Sequence, residues 1–199
     1  MSLPEIPERH RGQRWRFTRW LSRSLLRLAG WRVVGAVPEH SRLILVVGPH
    51  TSNWDFVYGV LAILATNFNI HWLGKNSLFK QPLTALMTWF GGIPVNRDNP
   101  KGVVEDIAEK FRRADALSVI ITPEGTRSRV DNIKTGFVRI AQAADCLMLV
   151  TTVDFPSKTV RLGETFKASG DAEADVERIV RLFSEVTPKH PDNFSVGRS

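Results

Sequence analysis

Hydrophobic and polar positions follow two different periods along this chain. Over residues 14–30 they repeat as a helix does. At about 100° per residue, with Arg16 as zero, Arg19, Arg23 and Arg27 lie within about 60° of one direction, and Phe17, Trp20, Leu21, Leu25, Leu28 and Trp31 lie between about 40° and 180°, with Arg14 on the apolar side and Trp15 and Leu26 outside it. Beyond this helix, apolar β-rich runs at 31–37, 43–47, 70–73, 118–122, 147–155 and 159–162 alternate with helical patterns near 53–67, 82–90, 101–115, 134–145 and 172–187. The runs LILVV and SVIIT are apolar at nearly every position, as expected of strands covered on both faces. The fold class is therefore α/β: a single domain with a largely parallel or mixed sheet flanked by helices, preceded by an N-terminal basic amphipathic helix. Ligands in such sheets collect at the carboxyl ends of strands, which directs attention to the loops after Val47 and Thr122.

Length and composition fit this reading. The chain has 199 residues, 43% hydrophobic and 24% charged, enough for one domain with its own core and unlike a disordered chain. Cys146 is the lone cysteine, so neither a disulfide framework nor a cysteine-based zinc site is available, and a reducing compartment fits best. The net charge of +7 is unevenly placed: residues 1–32 carry eight Arg against Glu5 and Glu8, for +6, which leaves +1 for residues 33–199. The chain thus divides into a basic tail and helix, 1–32, and a nearly neutral body, 33–199.

The apolar run at 56–65 is half the roughly 20 residues a bilayer-spanning helix needs. Arg side chains spread through residues 9–32 interrupt any secretory signal core, and Glu5 and Glu8 count against a transit peptide. A basic face opposite a Trp/Phe/Leu face suits an anionic membrane surface, with residues 14–31 lying in the headgroup region. An ordinary helix packed on the protein's own core would show the same period. Nucleic acid is not expected as a partner, because base reading needs polar side chains on the entering face.

Three loops carry candidate chemistry. His50 and Asp55 lie five residues apart after the strand at 43–47. Ser52 and Asp55 also have the spacing of a helix capping box, which would explain Asp55 without catalysis. Both readings can hold together if His50 precedes the helix and Asp55 lies in its first turn, the carboxylate then orienting one imidazole nitrogen while the other faces a substrate hydroxyl. No G-x-S-x-G elbow is present and Cys146 falls at a helix-to-strand junction, so no covalent nucleophile is expected. TPEGTRS, with Glu124, Gly125, Thr126 and Arg127, combines a tight turn with a guanidinium suited to a phosphate oxyanion, and a solvated surface turn is the plainer alternative. GGIPVNRD sets Arg97 after a very short strand, and Lys134 at a later helix start is a possible further anion contact. Neither G-x-x-x-x-G-K-[ST] nor G-x-G-x-x-G occurs.

Taken in order, HTSNWD (50–55), GGIPVNR (91–97) and PEGTRS (123–128) resemble the signature blocks of the glycerolipid acyltransferase family, which includes 1-acyl-sn-glycerol-3-phosphate acyltransferases. The resemblance covers roughly residues 43–155. It implies an acyltransferase domain in the body of the chain, and transfer of a fatty acyl group from an acyl-CoA or acyl carrier protein thioester to a hydroxyl of a lysophosphatidic acid-like glycerolipid. By the same resemblance, His50 matches the base and Asp55 its partner, while Arg97, Glu124, Gly125, Thr126 and Arg127 match the acceptor's phosphate site. No metal and no cofactor besides the donor substrate is implied. The expected setting is the cytoplasmic, inner face of a membrane, bound peripherally. Two departures stand out: Pro49 occupies the place of a common Asn, and LMLVTTVDF lacks the proline usual in the fourth block.

Overall fold

The computed structural model describes residues 3–96, 100–124 and 133–194. A seven-stranded sheet with order β1-β7-β6-β2-β5-β3-β4 forms the centre. Its strands are β1 (Arg32–Gly35), β2 (Arg42–Gly48), β3 (His71–Lys75), β4 (Gly92–Val95), β5 (Leu117–Ile121), β6 (Leu147–Asp154) and β7 (Thr159–Lys167). β2 through β6 run in one direction, while β7 pairs antiparallel with β6 and parallel with β1. The expected mixed, largely parallel α/β sheet is what forms. Gly35 closes β1 at φ +102°, where a Cβ would sit 1.8 Å from the Leu162 carbonyl oxygen, so this strand end requires glycine.

Helices cover both faces. α2 (Asn53–Thr66) and α3 (Thr84–Trp89) follow β2 and β3 and step the chain the same way along the sheet, so right-handed crossovers put them on one face. α4 (Pro100–Arg113) and α5 (Gly136–Ala143) step back across the sheet and cover the other face with α6 (Ala172–Ser184). There Ile107, Phe111, Phe137, Ile179 and Phe183 bury against Ile44, Val46, Val119 and Met148, each large side chain contributing about 1.5–3 kcal/mol. On the α2 side, Leu43, Leu45, Phe68 and Leu149 form a second cluster, and Ala62 and Ala65 form a third with Trp31, Val33 and Leu26.

The basic helix α1 (Arg16–Leu28) packs on α2, but not by its aromatic face. Its buried residues are Ser22 and Leu26, whereas Phe17, Trp20 and Leu28 are 64%, 62% and 85% exposed, with Leu21 and Leu25 exposed beside them; Trp31, expected on the same face, lies past the helix end and is buried in the core with Leu26. Arg23 donates to the Ala65 carbonyl at the end of α2 (Nε···O 2.9 Å). The apolar face is therefore not the core-packed one: it is exposed, as are Arg16, Arg23 and Arg27, and the helix seats on the protein by the narrow strip at Ser22 and Leu26, with Arg19 half-buried beside it. Among the described residues no helix is long and apolar enough to cross a membrane.

Candidate active site

The site is built where two central strands end. β2 and β5 pair in parallel with Val46 opposite Ile121, so the loops that leave them start level with each other. Gly48 ends β2 against α6, where a Cβ would lie 2.3 Å from the Phe183 ring, and the chain then turns through Pro49 to His50. From the neighbouring strand, Glu124 reaches across and its Oε2 accepts the His50 backbone N–H at 2.7 Å.

Ser52 caps α2 and Asp55 completes a capping box. Ser52 Oγ accepts from the Trp54 amide (3.1 Å) and donates to Asp55 Oδ1 (3.1 Å), while Asp55 Oδ2 accepts the amides of Thr51 and Ser52, both at 2.7 Å. The same Oδ2 lies 3.4 Å from His50 Nδ1. One carboxylate thus closes the helix start and faces the imidazole. Burial works against the charge of Asp55, but the contacts from His50, Ser52 and Thr51 outweigh it and hold the carboxyl below its ordinary range.

Glu124 shows the opposite balance. It is only 7% exposed, and burial pushes its carboxyl above the ordinary value despite the His50 amide. Oε1 has no hydrogen-bond partner among the described residues. The loop conformation is further fixed by Thr51, whose Oγ1 accepts the His190 amide at 3.2 Å, tying the segment after α6 to the site. No sequence signal connects residues 51 and 190.

Arg97, Gly125, Thr126 and Arg127 lie outside the described residues. Lys134 is exposed just before α5 and makes no hydrogen bond or ion pair with His50, Asp55 or Glu124. Cys146 is buried between α5 and β6, and burial pushes its thiol up to about 12, so it is an inert core residue as expected.

The α/β sheet thus presents a histidine with a buried carboxylate partner at the end of a central strand. The comparisons give the protein's class. The sequence model of the acyltransferase family matches residues 32–154, and the chain belongs to that family, as its three blocks led us to expect. It is an acyltransferase. Its fold is similar to that in the crystal structure of the 1-acyl-sn-glycerophosphate (LPA) acyltransferase PlsC from Thermotoga maritima, with TM-score 0.58 and 16% identity over 85% of this chain and 78% of that one. No curated protein matches the chain.

Proposed function

We propose that the enzyme moves a fatty acyl group from an acyl-CoA or acyl carrier protein thioester to the free hydroxyl of a lysophosphatidic acid-like glycerolipid, as a step of phospholipid biosynthesis. The observation that carries this reading is the His50–Asp55 pair at the carboxyl end of β2, with Glu124 gripping the His50 backbone. Asp55 holds the proton on Nδ1, which leaves the lone pair on Nε2. Nε2 removes the acceptor hydroxyl proton as the oxygen attacks the thioester carbonyl. The tetrahedral oxyanion then collapses, the carbon–sulfur bond breaks, and the departing thiolate takes the proton back from the imidazolium. No protein nucleophile is needed, because the thioester is already activated.

Arg97 and Arg127, with the loop at Gly125 and Thr126, are proposed to hold the acceptor phosphate, with Lys134 as a further contact. Glu124 suits a different task. A carboxylate repels phosphate, and here it binds the amide of the base, so we assign it as a positioning residue.

The lipid substrates need a membrane, and the exposed apolar residues support docking there. Phe17, Trp20 and Leu28 of α1, Trp54 and Phe56 of α2, and Trp89 of α3 with Phe90 just after it all belong to the helical layer on one face of the sheet. Trp54 and Phe56 are exposed in the first turn of α2, close in the chain to His50, and are proposed to meet the acyl chains beside the base. The exposed side chains of residues 14–31, without the buried Ser22, Leu26 and Trp31, would bind an anionic surface peripherally, on the cytoplasmic side. Incubating the purified protein with long-chain acyl-CoA and lysophosphatidic acid, and identifying products by mass spectrometry, tests the reading: diacylated phosphatidic acid with stoichiometric free thiol is expected. Vesicle binding without turnover on any lysolipid or donor would make the protein a non-catalytic lipid-surface module instead.

A further inference from the structure

Because α1 seats on Ser22 and Leu26, the arginine flank beside that strip borders a concavity. Arg19, Arg23 and Arg27, one turn apart, line a concavity of about 620 Å³ together with Arg11, the end of α2 at Thr66 and Asn67, and the chain at residues 3–6. The carboxylates nearby do not neutralise it. Glu5, which itself lines the concavity, and Glu8 both pair with Arg11. Arg23 uses Nε on the Ala65 carbonyl. Arg19 and Arg27 have no ion pair among the described residues, and Arg19 Nε is buried without a hydrogen-bond partner. Nothing in the proposed acyl transfer uses this cluster, which lies at the opposite end of α2 from His50.

We propose that this concavity is a non-catalytic site for the phosphate of an anionic phospholipid headgroup. Guanidinium groups with unused donors match phosphate oxygens in charge and geometry. Depth also agrees. Arg27 falls about 20° from the edge of the apolar face, at Trp20, and Arg19 about 100° from it, so the stripe descends from the helix flank into the concavity. If the aromatic face enters the acyl boundary, this flank lies at the level of the headgroups. The site thus rests on the membrane-docking reading, and adds that one lipid phosphate is gripped rather than merely attracted.

The test uses the full chain and phosphatidylcholine vesicles with and without phosphatidic acid. Arg19→Gln with Arg27→Gln is compared with Arg16→Gln with Arg32→Gln, an equal change of charge at exposed positions outside the concavity. The pocket pair should weaken binding to the phosphatidic acid vesicles by about tenfold or more and leave binding to neutral vesicles unchanged, with the control pair losing several-fold less. Each variant's melting curve is recorded, and Arg19→Lys with Arg27→Lys serves as a second test, expected to recover only part of the binding. Equal losses for pocket and control pairs would reduce the effect to diffuse electrostatics and overturn the site. So would saturable binding of inorganic phosphate to the free protein that depends on Arg19 and Arg27 while vesicle binding does not. Failure of the wild-type protein to bind any vesicle would instead remove the docking reading itself.

Discussion

Asp55→Asn separates the two duties that the structure gives one carboxylate. An asparagine oxygen can occupy the Oδ2 position and still accept the Thr51 and Ser52 amides, each 2.7 Å away, while its amide group meets Ser52 Oγ. What disappears is the charge. Charge-assisted bonds exceed neutral ones by about 1 kcal/mol, and relief from burying an anion offsets part of that for the pair. The expected net destabilisation is about 1 kcal/mol, or roughly 2–4 °C in melting temperature for a chain of this size. Catalysis should suffer far more. An Asn oxygen there can still accept Nδ1–H, but the developing imidazolium loses its counter-charge, and initial rates of thiol release should fall by about 10²-fold or more. Asp55→Ala is the opposite control for stability, since it leaves two buried amides without an acceptor at about 1–3 kcal/mol each. Because the Asp55 pKa is depressed in the folded state, its stabilisation is present at neutral pH. The difference between wild type and Asp55→Asn should shrink as pH falls through the ordinary carboxylate range and vanish below the lowered value. Near-normal rates in Asp55→Asn, together with a melt as low as that of Asp55→Ala, would reduce Asp55 to a helix cap and refute the reasoning.

Glu124→Gln keeps an acceptor for the His50 amide, so it should retain much more activity than Glu124→Ala. Because the Glu124 pKa is raised by folding, its ionised form costs stability at neutral pH; the Gln variant should melt at or above the wild-type temperature there, with the gap closing on acidification. Phe17→Ser, Trp20→Ser and Leu21→Ser combined should leave a cooperative melt, since these side chains are exposed, but weaken binding to neutral and anionic vesicles alike. A lost melt would return that face to the protein's own core. With its thiol buried and pushed up to about 12, Cys146 should resist thiol reagents in the native enzyme, and acyl transfer should survive their treatment.

Much of this was legible in the sequence, and the exceptions have physical causes. The strands at 43–47 and 118–122 are buried on both faces, and their apolar runs give β2 and β5 to within a residue at each end. β7 extends to Lys167, well past the expected end at 162. Its polar outward positions and Gly163, next to an irregularity in the β6 pairing, obscure the alternation. The His50–Asp55 geometry followed from spacing, because a cap residue fixes where the helix begins. The turn after β5 marks Glu124 as a candidate, but its contact with the His50 amide depends on β2 and β5 being neighbours, which crossover topology decides and local pattern does not. The facing of α1 was hidden for a related reason. A period of 3.6 defines two faces, yet which one meets the protein was settled by small Ser22 and by Leu26 fitting against α2.

The central claim is that His50 is the base of acyl transfer. Phosphatidic acid formation from long-chain acyl-CoA and lysophosphatidic acid, measured for wild type and His50→Ala at equal concentration with melting curves recorded in parallel, tests it most directly. The account predicts that the variant melts like the wild type and forms product at least about 10²-fold more slowly. Product formation within about threefold of wild type would remove His50 from the mechanism.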